Sequence, residues 1–471
     1  SFAGKQHVCR ELSIIGTAES VPVLSMMLTE KGMTETALLA LEKIPGSQAG
    51  HAMLAGLEAG DVKMKIAIVN SLASRKVDDA VEPLIKLMHS PNKQLAHSSI
   101  NALGTFGGER AAKALDNFSY ESDPSLKVSV LDAQLRCANQ FLEANDIRNA
   151  RIIYEQVYRT DPIYPLKYNA LLGMFNTSSE DPVNFIANYL RKEEPGFHPY
   201  IIRLIYQSDE TENLDILLKD LPDLPTASRI HLISAVAAKG DLSFRKKILE
   251  ATSEEIQDVR TAAIRALGYI GKPEDVIFLA KLANEKRGTE QELARQSLSI
   301  LRGTGVNESI IGGISESEAG IKAELIRCTG ERNITEAINL LFETASDADK
   351  TVRRESIGAL GKLAPSEKIP EMISLLISSP NRRERQEAER AVFALIQKMP
   401  EASDRSAAIL ESLTGLDDPA ALASLISILG MIGDNKDLDV LRGYLNSDDG
   451  LVQIAALKAL SGWQNAAPMN D

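Results

Sequence analysis

The stretch Glu255-Ile256-Gln257-Asp258-Val259-Arg260-Thr261-Ala262-Ala263-Ile264-Arg265-Ala266-Leu267-Gly268-Tyr269-Ile270-Gly271 decides the fold. Ile256, Val259, Ala262, Ala263, Ala266, Leu267 and Ile270 recur at helical spacing and form one wide apolar stripe. Gly271 is expected to stop the helix in the left-handed conformation that a residue without Cβ tolerates. Pro273 is then placed to open a second helix.

The same phrase recurs along the chain. Its anchors are Leu12, Leu41, Leu72, Leu103, Leu135, Leu172, Ile205, Val236, Leu267, Leu301, Ile326, Leu360, Leu395, Leu429 and Leu460, spaced about 32 residues apart on average. The clearest copies are Ala102-Leu103-Gly104-Thr105-Phe106-Gly107, Ala359-Leu360-Gly361-Lys362-Leu363 and Ile428-Leu429-Gly430-Met431-Ile432-Gly433. A shorter amphipathic helix precedes each anchor helix, as at Val81–Met88, Val276–Leu282 and Ile369–Leu376. Neither helix of a pair can bury its face alone, so pairs must stack, which is the mark of a helical solenoid.

These residues resemble the HEAT repeat. Asp258-Val259-Arg260…Ala263…Ala266-Leu267-Gly268 follows its second-helix pattern, and Val352-Arg353…Ala359-Leu360-Gly361 is another copy. The resemblance covers residues 1–115 and 227–465. It implies an all-α solenoid of about fifteen stacked helical hairpins, a HEAT-like superhelix whose second helices line the concave side. It also implies that Arg260 and Arg353 bond across stacked units. Fifteen units at helix-packing spacing give a contour of about 130–150 Å.

Three sections are expected in one continuous solenoid: an N-terminal array over 1–118, a degenerate middle over 119–225, and a C-terminal array over 226–471. Two separate arrays joined near 120–225 is the alternative. Within the middle, residues 131–164 resemble a tetratricopeptide unit, with Ala138, Phe141, Ala150, Tyr154 and Pro162 at that repeat's spacings. Helical pieces are expected at about 164–176, 182–192, 197–207, 211–219 and 225–239. Residues 5–15 read as a second helix with no first helix before it. The last helix, about 451–463, carries Trp463, expected to cover its apolar face. Neither end carries the polar cap that a solenoid needs, so the natural chain is expected to continue beyond one or both.

Composition bounds the function. The 471 residues exceed what one compact core holds, and the net charge of −13 with pI about 5.2 opposes binding along a nucleic-acid backbone or an anionic membrane. No apolar run is long enough to span a bilayer. Cys9, Cys137 and Cys328 have neither disulfide nor metal-knuckle spacing and are expected to be small buried hydrophobes. The chain opens Ser1-Phe2-Ala3 without initiator Met, as expected of a processed or trimmed product, so a removed export signal stays open.

A search for chemistry leaves no catalytic constellation and no cofactor site. His7, His51, His89, His97, His198 and His231 form no metal-ligand spacing, and Pro91 separates His89 from His97. No phosphate loop or nucleophile elbow appears. Glycines are expected at helix ends, with Gly312-Gly313 marking a tight turn. The carboxylate pairs Glu193-Glu194, Glu254-Glu255 and Asp448-Asp449 are expected at helix starts or turns, solvated or complementing the dipole.

One charge anomaly stands out. Residues 350–392 hold nine Lys/Arg and six Asp/Glu, a local surplus of three positive charges in an acidic chain. Arg353, Arg354, Arg382, Arg383 and Arg385 are the candidate partner-binding residues, for an acidic segment of a protein or peptide. The competing readings are cross-repeat bonds with solvated helix surface, and a phosphate-backbone site.

Two function classes follow. One is a non-catalytic protein-interaction scaffold using the concave surface. The other is an accessory domain of a larger enzyme. Cys9-Arg10-Glu11-Leu12…Ile15-Gly16-Thr17…Val21-Pro22 and Ala455-Ala456-Leu457-Lys458-Ala459-Leu460…Trp463 resemble HEAT arrays of Bacteroidetes- and Planctomycetes-type exported proteins. Those are often joined to a 3-keto-disaccharide hydrolase domain or a cytochrome c. That resemblance implies a periplasmic or otherwise exported bacterial protein, while composition leaves the cytoplasm open. HEAT-like enzymes such as alkylpurine DNA glycosylases use a basic, aromatic-lined groove. This chain is acidic with one Trp.

Overall fold

The computed structural model describes residues 2–121, 123–208, 215–219, 221–240, 242–400 and 404–463. Among these the regular elements are helices joined by turns, with no strand. The chain divides into two compact units, Ser1–Glu210 and Thr211–Asp471.

In the first unit the second helices Phe2–Ile15, Thr34–Lys43, Val62–Arg75, Lys93–Phe106 and Lys127–Glu143 pack one upon the next. In the second unit the corresponding stack is Thr226–Lys239, Gln257–Ile270, Thr289–Ile300, Ala319–Arg332, Lys350–Leu363, Arg382–Gln397, Pro419–Ile432 and Gly450–Ser461. Shorter first helices such as Val276–Glu285 and Ile369–Ile377 cover the other side of each stack. Most open with a single 3₁₀ turn, and Pro273 begins one of these at Pro273–Asp275. The anchor residues are buried, apart from Leu12 and Leu172, which are half-buried. At Leu172 the register slips by one, so that Leu171 fills the core position. Leu301 lies just past its helix, which ends at Ile300, yet stays buried.

The degenerate middle is helical where expected. Tyr164–Asn176, Pro182–Lys192 and Thr226–Lys239 form, and the piece at 197–207 divides at Arg203 into His198–Ile202 and Leu204–Gln207. Of 211–219, residues 211–214 lie outside the described residues, and Asp215–Lys219 is helical. The tetratricopeptide-like pair is Lys127–Glu143 and Ile147–Arg159, where Ala138, Ala150 and Tyr154 are buried and Phe141 is half-buried. The Tyr154 hydroxyl donates to Asn139 Oδ1 at 2.6 Å.

The glycines correct the sequence reading. Gly433 does take the left-handed conformation after its helix (φ 70°, ψ 29°). Gly271 does not: its backbone is extended (φ −69°, ψ 165°). A Cβ there would stand 2.5 Å from the Leu267 carbonyl oxygen and 2.6 Å from Leu301 Cδ1, so close packing selects the glycine. Gly312 and Gly313 mark no turn and lie inside the helix Val306–Glu316. The glycine of the Ala-Leu-Gly phrase is not a cap either. Gly104, Gly361 and Gly430 sit within helices, and a Cβ on each would come within 3.0 Å of the backbone Cα of Ala133, Ala391 and Ala459 respectively. The phrase thus ends in a glycine–alanine contact that sets how closely consecutive second helices approach.

This predicts opposite signs for one substitution made twice in one helix. Gly358 in Lys350–Leu363 faces open space, so Gly358→Ala should stabilise by about 0.5–1 kcal/mol through helix propensity. Gly361→Ala, three residues on, should destabilise by about 1–3 kcal/mol because Ala391 Cβ and Cα lie 2.9 and 3.0 Å from the new methyl. Thermal melts of the two variants should move in opposite directions.

Candidate interaction surface

The five candidate arginines do not form one free cationic patch. Arg353 is engaged throughout: its Nε and Nη2 each donate to Glu384 at 2.8 Å, and its Nη1 donates to the carbonyls of Asp347 and Ala348 at 2.8 and 2.9 Å. Arg385 donates to the Ser379 carbonyl at 2.9 Å and approaches Asp418 at 3.5 Å. Arg354 meets Glu355 at 3.3 Å. Arg382 and Arg383 are exposed at the start of their helix, with no ion pair among the described residues.

Arg353 belongs to a repeated device. Arg260 donates to Glu290 Oε1 at 2.9 and 2.6 Å and to the Glu254 and Glu255 carbonyls at 2.8 and 2.7 Å. In both cases a guanidinium ties the loop before its own helix to a glutamate in the first turn of the next second helix. The forked geometry suits arginine rather than lysine. The bond across stacked units that the family resemblance implied is therefore present at both residues. Arg353 holds the Glu384 carboxyl below the usual carboxylate range against the opposing effect of burial.

The opposite ends of the second helices are closed by another set that the sequence reading missed. Arg75 Nη1 donates to the carbonyls of Leu41, Glu42 and Ile44 at 2.9, 2.8 and 2.6 Å. Arg332 Nη1 does the same to Ser299 and Leu301 at 2.7 and 2.8 Å. Lys398 Nζ donates to the Lys362 carbonyl at 2.6 Å. Each satisfies carbonyls that the preceding second helix leaves unpaired at its C-terminus. The available signal was a basic residue recurring near the end of second helices.

A second missed cluster lies where the HEAT phrase is lost. Lys167 is only 6% exposed. Its Nζ donates to Asp161 Oδ1 at 2.8 Å and Glu193 Oε2 at 2.7 Å, and stands 4.9 Å from the Phe197 ring and 5.5 Å from the Tyr158 ring. Tyr158 and Tyr164 donate their hydroxyls to Glu193 and Glu194 respectively. Burial would push the Lys167 ammonium down, but the two carboxylates reverse this and hold its pKa above the ordinary lysine value. Burial, then the bond to Glu193, pushes the Tyr158 hydroxyl up. The expectation of a solvated Glu193-Glu194 pair is corrected: Glu193 is turned inward and shares the compensation of the buried Lys167 ammonium with Asp161. Its two carboxylate bonds and two ring contacts all come from this chain, so the cluster is a clamp.

The remaining candidates are structural. Cys9, Cys137 and Cys328 are free and buried, and burial pushes the Cys137 and Cys328 thiols up to about 12. His89 leans on Phe118 at 5.2 Å between ring centroids, and His97 bonds Asn101 at 3.1 Å. No metal-holding group of His, Cys, Asp or Glu occurs among the described residues. Trp463 is buried, and its Nε1 donates to Asn435 Oδ1 at 3.1 Å. None of the described helices is long and apolar enough to cross a membrane.

One open groove lies on the solvent face of the second-helix layer, between Thr226–Lys239 and Gln257–Ile270. It encloses about 300 Å³ over a floor of Ala237, Ala238, Ala262 and Ala266. Tyr269, 54% exposed, forms one wall beside Arg265. Arg265 makes no hydrogen bond or ion pair among the described residues, in contrast to Arg260, Arg295 and Arg353 of the same stack.

The chain is similar in structure to yeast importin-beta (Kap95p), at 13% identity over 94% of this chain and 73% of that one, with a TM-score of 0.36. It is also similar to the E. coli protein YibA, at 18% identity over 56% and 91% with a TM-score of 0.30. Human deoxyhypusine hydroxylase, solved with glycerol, matches at 15% identity over 69% and 99% with a TM-score of 0.21. No curated protein matches the sequence. The profile of HEAT repeats matches residues 51–130, 214–299 and 309–392. These segments make up more than half of the sequence, and the chain belongs to the HEAT-repeat family.

Proposed function

We propose that this protein is a non-catalytic scaffold that holds an extended protein or peptide segment across its layer of second helices. Solenoids of this family offer long repetitive surfaces suited to such partners. The observation that supports the reading here is the groove beside Arg265 and Tyr269. An alanine floor admits a bulky apolar side chain, Tyr269 supplies a rigid aromatic contact, and the unpaired guanidinium asks for a carboxylate. The partner segment therefore carries Asp or Glu next to a large apolar residue. Arg382 and Arg383, further along the same stack, would attract acidic flanks of that segment.

The test is selection from a displayed peptide library with the whole chain as target. Selected peptides should pair an acidic with an apolar residue. Arg265→Glu and Tyr269→Ala should each weaken their binding by about tenfold or more, the range of aromatic and arginine hot spots. Joint reversal of Arg382 and Arg383 to Glu should act more weakly and only at low salt. Peptides without this pairing, or binding indifferent to Arg265→Glu, would remove the proposal.

A further inference from the structure

A second opening, in the first unit, has different chemistry. It lies where the chain leaves the helix Gly108–Asp116, between Lys127–Glu143 and Ile147–Arg159, and encloses about 280 Å³. Asp116, Phe118, Tyr120, Glu121, Gln134 and Gln156 line it.

The decisive residue is Gln134. It is only 8% exposed, yet its amide bonds to no described residue. Its amide opens onto the cavity rather than being sealed in the core, so its partner is whatever fills that space. Gln134 faces the cavity, as does the half-buried Gln156, which also lacks a partner among the described residues. Asp116 and Glu121 stand at the mouth with no cation paired to either among the described residues. No Lys or Arg lines the space. Lys127 at its edge is occupied: its Nζ donates to the Thr160 carbonyl at 3.3 Å and lies 5.9 Å from the Tyr120 ring.

We infer that this cavity is a guanidinium site, taking an arginine side chain or a free arginine derivative. The two carboxylates and two amide oxygens supply acceptors in several directions. A planar group with five donors can use them together, whereas an ammonium cannot. The volume suits one such side chain. The site lies apart from the groove at Arg265 and does not depend on it.

Calorimetric titration of the whole chain tests this with arginine amide, lysine amide, citrulline amide and the acetylated peptide Gly-Gly-Arg-Gly-Gly. Arginine amide, the peptide, or both should saturate one site, with lysine amide about tenfold weaker and citrulline amide silent. Binding of the peptide alone assigns a partner's arginine; binding of the amide alone assigns a small ligand. Asp116→Asn and Glu121→Gln, both at exposed positions, should each weaken binding about tenfold, and Gln134→Leu likewise if its melting point is kept. Arg265→Glu should leave it unchanged, which separates this site from the groove. The inference is overturned if neither arginine compound binds, if citrulline amide binds equally, or if both carboxylate variants bind as the parent does.

Discussion

Lys167→Met is expected to destabilise the first unit by about 3–5 kcal/mol, the usual cost of removing one member of a buried ion pair. The methionine fills the space between the Phe197 and Tyr158 rings, so lost packing is minor. What remains is the Glu193 carboxylate, inward-facing and bonded only by Tyr158. Asp161 adds to the loss, because it holds a left-handed backbone (φ 47°) that the bond to Lys167 helps to fix. For a unit of this size the apparent melting midpoint should fall by on the order of 10 °C. The double variant Lys167→Met with Glu193→Gln should recover part of the loss, since it removes the orphaned charge. A single variant melting within about 1 °C of the parent would show that the clamp carries no stability.

Arg353→Ala should cost about as much, roughly 3–5 kcal/mol, in the second unit. Glu384 is 4% exposed, and its carboxylate would keep only the bond donated by the Asn381 amide at 2.7 Å. The pair also predicts a pH dependence. The folded pKa of Glu384 lies below its unfolded value. Its contribution is therefore complete above the ordinary glutamate pKa of about 4.3 and is lost as pH falls through that value and below the depressed one. Between pH 7 and pH 3 the parent should lose more stability than Arg353→Ala does, as measured by chemical denaturation at each pH. Parallel pH curves for the two proteins would exclude the pair as the source.

How much of this could be read from the chain depended on periodicity. Apolar side chains at helical spacing fix which face is buried, so Leu103, Leu267, Leu360 and Leu429 identified the second helices and the repeat from sequence. The Arg260 and Arg353 bonds were accessible through the same phrase. What escaped was whatever needs a neighbour's coordinates. The glycine of Ala-Leu-Gly looks like a helix stop in one dimension, and only the position of Ala391 against Gly361 reveals a contact. Lys167 and Glu193 are far apart in sequence and carry no motif, so Glu193 read as a solvated carboxylate and Lys167 was not singled out. The arginines of 350–392 formed a patch in composition, but Glu384 absorbs Arg353 once the helices stack, and Glu355 takes Arg354 within the same helix. Tyr269, Arg265 and Gln134 had no sequence signal beyond being ordinary helical residues.

The paired closures at the two ends of the second helices carry a mechanical consequence. A helix fixed to its neighbour at one point can swivel about it, whereas one fixed near both termini can only bend. Where Arg353 holds Glu384 at one end and Lys398 holds the Lys362 carbonyl at the other, two consecutive layers behave as a stiff plate. Layers that lack one of these attachments are left as the compliant joints within a unit, and an applied torque concentrates its strain there.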